Sequence, residues 1–167
     1  MVRRTRAARM LEGVTTRDTG RAHEPGRVVP RQRRRRRPLH AADLRIEAWA
    51  PTMHACFAGA VGALAESVLG PGRRAVSARV RFDVRGDNPS VLLDLVLQRV
   101  ISFVPKYNAI ATTADVARTD TGLRVRCELV DAGAVVLPGP IPKGVTRGSV
   151  LCERTEHGWW CAAGIDI

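Results

Sequence analysis

Hydrophobic and polar positions alternate most regularly over residues 76–85. Valine, alanine and phenylalanine occupy the even positions, while serine, arginine and aspartate occupy the odd positions. A period of two is typical of a β-strand that buries one face, so this segment is predicted to be a strand with a mostly cationic exposed face. Similar alternation predicts further strands at 44–48, about 108–117, 123–130, about 145–154 and 159–167.

Two other segments place hydrophobic residues at the spacing of an α-helix. The first is opened by Pro51 and Thr52 and stopped by Gly70. The second is capped by Asn88 and stopped by Pro105, and its apolar positions cover more than half of the helix circumference, so we expect it to be largely buried. The resulting order of strands and helices predicts an α+β domain with a mostly antiparallel sheet.

The positive charge of the chain is concentrated at its start. Residues 1–38 contain 13 arginines against three acidic residues, and so hold ten of the eleven net positive charges. Because this segment lacks apolar periodicity and contains three prolines, we predict that 1–38 is disordered and that the folded domain spans 39–167. Five consecutive arginines could add salt-dependent contact with RNA: Arg33, Arg34, Arg35, Arg36 and Arg37. The alternatives are a solvated extension, an over-long reading of the gene, or an arginine-rich organellar leader.

The composition excludes several classes of protein. No apolar run approaches the ~20 residues that span a bilayer and no secretory signal is visible, so we expect a cytoplasmic protein without a membrane partner. His54 and His157 lack a catalytic partner at a recognisable spacing, and no glycine-rich phosphate-binding loop follows a strand. An enzyme with its own substrate is therefore not expected. The cysteines form no CxxC pair and are interpreted as buried free thiols: Cys56, Cys127, Cys152 and Cys161.

Acidic groups collect at the end of the last predicted strand. Asp166 falls on the polar face of that strand, beside the terminal carboxylate of Ile167. If this strand lies beside the first one, Asp166 approaches Asp43, which has the polar parity of its own strand. Carboxylates brought together must take up protons, find cations or bind a metal, and calcium suits carboxylates and backbone carbonyls best. Two solvated aspartates are the alternative, and Lys143 could neutralise the same corner or simply extend into solvent.

Three segments can be compared, in order and spacing, with a known family. The first runs from His40 through Asp43 to Thr52 and Phe57, the second is Lys143-Gly144-Val145-Thr146, and the third is Gly158-Trp159-Trp160-Cys161 continuing to Asp166-Ile167. They resemble an H-T-A-D strand with a T-x-E-E-x-F helix, a K-A-V-T strand start, and a closing G-W-x-A-x-x-x-D-I, which are motifs of the archease family. The resemblance covers about residues 39–167.

The resemblance implies a fold of two strand-helix-strand-strand modules, with one module inserted in the other. It implies a protein cofactor that activates an RtcB-type RNA ligase by promoting its guanylylation and multiple turnover, in tRNA splicing or RNA repair. It places a metal site, usually calcium, at Asp43, Asp166 and the backbone of Ile167, and it matches Lys143 to the family's lysine. Docking of this corner at the ligase would stabilise the conformation competent for nucleotide transfer.

The sequence departs from the family motifs and leaves other functions open. Leu39 stands where the family often has an acidic residue, His54 and Ala55 replace the glutamate pair of the first helix, and Arg147 follows Thr146 where tyrosine is usual. These changes predict a less acidic corner. The alternative functions are an RNA-binding module, which would use the tail and the exposed arginines of residues 76–85, and a chaperone-like interaction protein.

Overall fold

The structure, a computed structural model, describes residues 44–167. The predicted extension 1–38 and Asp43 lie outside the described residues. Seven strands and three α-helices follow one another in this part of the chain: β1 (Leu44–Ala50), α1 (Met53–Leu69), β2 (Ala78–Arg85), α2 (Pro89–Ile101), α3 (Phe103–Tyr107), β3 (Ala109–Thr119), β4 (Gly122–Asp131), β5 (Gly144–Val145), β6 (Leu151–Thr155) and β7 (Gly158–Asp166).

The strands form two antiparallel sheets. In the terminal sheet, β7 pairs with β1 along one edge and with β6 and β5 along the other. In the inserted sheet, β4 lies between β2 and β3. The unit β2, α2, β3 and β4 is thus inserted into a second unit made of β1, α1, β6 and β7. The predicted α+β fold with one strand-helix-strand-strand module inside another is confirmed.

Local side-chain caps explain where the two long helices begin. The Thr52 side chain accepts a hydrogen bond from the N–H of Ala55, and Asn88 accepts from the N–H groups of Ser90 and Val91. Each cap satisfies backbone donors that the first helical turn leaves free. The helix starts predicted from the sequence are therefore confirmed.

Two predicted elements are wrong in detail. The strand expected at 145–154 is split into β5 and β6 by a turn in which Gly148 has φ +71° and the Ser149 N–H bonds to the Thr146 carbonyl. The helix expected to run to Pro105 is interrupted at Ser102, whose hydroxyl bonds to the Arg99 carbonyl, and it continues as the short α3. The Ser149 hydroxyl also bonds to the Thr146 carbonyl, so in both cases a serine hydroxyl supplies a local bond that competes with the regular ladder.

The helices pack both modules around a shared core. Helix α1 contacts β1 and β7 of the terminal sheet and also β3 of the inserted sheet, while α2 contacts β2 and β6. Fully buried side chains from both modules meet in this core, including Ile46, Phe57, Leu97, Val125 and Ile165. Burial of this apolar surface holds the two modules together and fixes the strand that ends at Asp166.

The expectation that the second helix is largely buried needs correction. Val91 is 51% exposed and Leu95 is 38% exposed, so one apolar side of α2 faces solvent. The opposite side, with Leu93 and Leu97, is fully buried. The wide apolar stripe had indicated burial on more sides than α1 and the strands of the two sheets actually cover.

Candidate functional site

The first and last described strands lie side by side, as the sequence analysis expected. Leu44 of β1 pairs with Ile165 of β7, the residue before Asp166. Asp43 directly precedes Leu44 in the sequence, but it lies outside the described residues. The pairing is confirmed, and the approach of Asp43 to Asp166 stays a prediction.

Asp166 is held by the segment that carries Lys143. The Lys143 N–H donates to the Asp166 carbonyl at 2.8 Å, and Gly144 pairs with Asp166 across β5 and β7. The Thr146 hydroxyl donates to Oδ1 of the Asp166 carboxylate. A hydrogen bond to an ionised acceptor is among the stronger ones in proteins. The structure therefore brings Lys143 and Asp166 together through the backbone and fixes one carboxylate oxygen.

Hydrogen bonds of Ser149 hold the segment that follows β5 against β7. Its Oγ donates to the Thr146 carbonyl at 2.6 Å, and the Gly164 N–H donates to this Oγ at 2.9 Å. The Thr146 N–H in turn donates to the Gly164 carbonyl at 2.9 Å. The turn after β5 is consequently fixed by side-chain bonds where the strand ladder stops. Thr146 was identified in the sequence as part of a family motif but without a role, and nothing in the local sequence singled out Ser149.

Lys143 is exposed and lines an open cleft beside this corner. The cleft has a volume of about 810 Å³ and lies between the end of α2 and the segment 141–148. Arg147 lines it from the same segment, and Asp94 and Gln98 line it from α2. Neither Lys143 nor Arg147 forms an ion pair with any residue in 44–167. The rim of the cleft thus carries two exposed cationic side chains that are not paired within the described part of the chain.

Oxygen atoms of the kind that calcium prefers are present at the corner. Asp166 offers its carboxylate, of which Oδ2 has no hydrogen bond with the described part of the chain, and Ile167 offers its backbone carbonyl. Calcium takes about 6 to 8 oxygen ligands, so these groups supply only part of a shell. Residues 44–167 contain no cluster of three or more His, Cys, Asp or Glu side chains that suits a metal. The donors fit calcium in kind, and a complete site would need Asp43 and water.

Positions 54 and 55, where the family motif has two glutamates, lie at the opposite end of the terminal sheet from this corner, which corrects part of one expectation. Leu39, the other position that loses an acid, lies outside the described residues. His54 and Ala55 begin α1 after the end of β1, where Ala50 pairs with Trp159. Asp166 lies at the other end of β7. The substitutions at 54 and 55 therefore do not make the Asp166 corner less acidic. Arg147, which lines the neighbouring cleft, is the departure that does place a charge near it.

The cationic face predicted on β2 is partly neutralised by β4. Arg81 stands directly opposite Arg126, so two like charges face each other at the centre of the sheet. Two ion pairs flank them: Arg79 with Glu128 at 2.9 Å, and Arg124 with Asp83 at 2.9 Å. The Arg124 hydrogen bond lowers the pKa of Asp83 and outweighs the opposing effect of desolvation. The face is mixed in charge and less suited to bind phosphate than the sequence alone indicated.

Together, these observations describe a small α+β protein with one module inserted in another and with Asp166 held at the end of its terminal sheet, beside an open cleft. The Archease protein family matches residues 38–167. The chain is also 35% identical over 129 residues to the protein described as "Probable protein archease" of Mycobacterium tuberculosis, strains CDC 1551 and H37Rv. The match covers 77% of this chain and 72% of each relative. The chain belongs to the archease family.

Family membership confirms the resemblance drawn from the three motifs. Archeases serve as protein cofactors of an RNA ligase and are not known as enzymes, and membership supports the same general role here. In the stretch 44–167, no helix is both long and apolar enough to cross a membrane.

Proposed function

We propose that this protein activates an RtcB-type RNA ligase, promoting guanylylation of the ligase and its repeated turnover in tRNA splicing or RNA repair. Family membership supports the general role of ligase cofactor. The observation that carries the site is the convergence of Lys143, Thr146 and Asp166 at one end of the terminal sheet. A surface contact with the ligase would use this corner and the adjoining cleft.

The residues at the corner have separable tasks in this proposal. Thr146 orients the Asp166 carboxylate by binding Oδ1, which leaves Oδ2 available. Gly144 stands opposite, where an added Cβ would lie 3.8 Å from Oδ2, so a side chain larger than hydrogen would narrow the approach. Asp43, Asp166 and the Ile167 carbonyl would hold calcium, which would supply positive charge to the contact with the ligase.

Lys143 would work as a cationic contact and not as a metal ligand. Its backbone is fixed to Asp166, while its side chain is exposed at the rim of the cleft. Binding to the nucleotide-transfer conformation of the ligase, in preference to its resting conformation, would shift the ligase population toward the active form. A modest preference suffices, because each ~1.4 kcal/mol of differential binding changes the ratio of active to resting ligase tenfold.

The decisive experiment is multiple-turnover RNA ligation by the cognate ligase with GTP, with and without this protein. We expect the wild type to raise the number of turnovers, and Asp43→Ala, Lys143→Ala and Asp166→Ala to lose most of that effect. Lys106→Ala is the matched control, since Lys106 is the other lysine of the chain, is exposed and does not line the cleft. No stimulation by folded wild type, with a ligase proven active, would refute the proposal.

A second proposal concerns the tail. The arginine run supports salt-dependent contact with RNA, because each phosphate neutralised releases counterions. Replacement of the five arginines at 33–37 by glutamine in the full-length chain should weaken RNA binding and flatten its dependence on salt. Arg81→Gln on the inserted sheet serves as the comparison. If this single change weakens RNA binding equally, RNA binds to the folded domain and the proposal for the tail is wrong.

A further inference from the structure

Three of the four cysteines come together inside the terminal module. Cys56 lies in the first turns of α1, Cys161 lies in the middle of β7, and Cys152 lies on β6 directly opposite Cys161. The sequence separates Cys56 from Cys161 by 105 positions, so the fold creates this cluster. The fourth thiol, Cys127, lies on β4 of the inserted sheet.

The Cys56 and Cys161 thiols are already in direct contact. Their sulfur atoms are 3.2 Å apart, and neither residue has any exposed surface. The contact is flanked by backbone acceptors, because the Cys56 thiol also approaches the Ala48 carbonyl at 3.4 Å and the Cys161 thiol approaches the Cys56 carbonyl at 3.7 Å. A disulfide has a sulfur separation of about 2.0 Å, so a movement of little more than one ångström would join the pair.

We infer that Cys56 and Cys161 form a modification site at which a hydroperoxide converts the two thiols into an intramolecular disulfide. One S–S bond forms, and the two S–H bonds and the O–O bond break. The two sulfur atoms are oxidised, and hydrogen peroxide, the simplest such oxidant, is reduced to two molecules of water that take up both thiol protons. This inference concerns the chemistry of the fold and does not rest on the proposed ligase activation.

The surroundings make this reaction slow while the fold is closed. A hydrogen bond with Cys152 lowers the pKa of the Cys56 thiol. The hydrogen bond with Cys161 and burial have the opposite and larger effect, so the net result is a pKa raised to about 12. The thiolate that attacks a peroxide is therefore rare at neutral pH. Strand β6 is short and lies at the edge of the terminal sheet, so its local opening gives the oxidant access to the cluster.

The disulfide would restrain β7, the strand that carries the candidate site. It would fasten the start of α1 to the middle of β7, and Asp166 lies five residues further along that strand. A cross-link between positions so distant in sequence restricts the unfolded chain strongly. The oxidised protein should therefore resist unfolding of the terminal sheet better than the reduced protein.

The test uses the full-length reduced protein, exposed to hydrogen peroxide with and without a low, sub-denaturing concentration of urea. We expect the loss of two thiols, faster with urea, and a peptide pair that links Cys56 to Cys161 by mass spectrometry. Cys127 should remain free, a thiol reductant should reverse the change, and the thermal midpoint should rise while the disulfide is present. An unchanged thiol count under both conditions, or a link through Cys127, Cys152 or a second molecule, would overturn the inference.

Variants separate the pair from its neighbours. Cys56→Ala and Cys161→Ala should each abolish the disulfide, whereas Cys127→Ala, the matched buried thiol in the other sheet, should leave its yield unchanged. Circular dichroism shows whether each variant is folded, and the peptide map of the wild type decides the question even if a variant is not. A disulfide of the same yield in folded Cys161→Ala would contradict the assignment.

Discussion

The Thr146 hydroxyl donates to the Asp166 carboxylate across the end of the terminal sheet. Thr146→Val keeps the shape of the side chain and removes this donor, which leaves Oδ1 of Asp166 without its partner. We expect a loss of about 1 to 2 kcal/mol in the free energy of unfolding, less than for a buried charged bond because the site is half exposed. Urea denaturation measures this loss, and the ligation assay should show weaker stimulation.

Thr146→Ser provides the control for that change. Serine keeps the hydroxyl, so both stability and stimulation should stay closer to the wild type than they do in Thr146→Val. If serine and valine behave alike, the methyl group and not the hydroxyl is what matters at this position.

Two glycines with positive φ should respond very differently to alanine. Gly122 has φ +157°, and an added Cβ would collide with the Val84 carbonyl where β2 and β4 pair, whereas Gly148 has φ +71° and open space around it. We expect Gly122→Ala to destabilise the protein by more than about 2 kcal/mol and Gly148→Ala by only about 1 kcal/mol. Thermal unfolding of the two variants side by side measures the difference, and equal midpoints would show that steric contact does not dominate at Gly122.

The ion pair between Asp83 and Arg124 should be visible in a pH titration. The hydrogen bond from Arg124 lowers the pKa of Asp83 in the folded state. The ion pair therefore stabilises the fold fully above the ordinary aspartate pKa, and this stabilisation is lost as pH falls through the lowered pKa. NMR of the Asp83 carboxyl carbon should therefore show a midpoint below that of an unpaired aspartate. In Arg124→Gln the midpoint should move upward, and an unchanged midpoint would mean that Arg124 is not the cause.

His54 has a buried ring nitrogen, Nε2, without a hydrogen-bond partner in the described structure. A buried polar atom left unpaired destabilises the folded state by about 1 to 3 kcal/mol. His54→Leu, which is apolar and similar in size, should raise the free energy of unfolding by about 1 kcal/mol. His157→Leu in the exposed hairpin should change it little, and a clear loss of stability in His54→Leu would show that the ring has a partner in solution.

Simple periodicities of hydrophobic residues in the sequence predict much of this fold. The alternation in β2 and β4 and the caps at Thr52 and Asn88 predicted those elements closely. Errors arose where a side chain competes with the backbone ladder, as Ser149 does after β5 and Ser102 does after α2. These bonds join each serine hydroxyl to a carbonyl three residues earlier, a feature of polar side chains that hydrophobic spacing does not reveal.

Part of the candidate site was also predictable from the sequence. The strand pattern of β7 placed Asp166 at the polar end of the strand, although Ala162, which has the same parity, is buried. The motif at 143–146 indicated Lys143, whereas the contact of Thr146 with Asp166 was not predicted. The register that joins these segments is a tertiary property, and it becomes visible only when Gly144 is seen paired with Asp166. The cysteine contact was not predictable, because Cys56 and Cys161 share no local pattern.

The insertion of one module within the other has a consequence for how the chain acquires its structure during synthesis. The pairing of Ala50 with Trp159 closes a loop of more than a hundred residues, whereas β2, α2, β3 and β4 are contiguous. Contacts so far apart form slowly because of the entropy of loop closure. The inserted module can therefore fold on the ribosome first, and β1 must wait for β7 to emerge before it finds its neighbour. The Asp166 corner thus forms only after β7 has been synthesised, later than the inserted module.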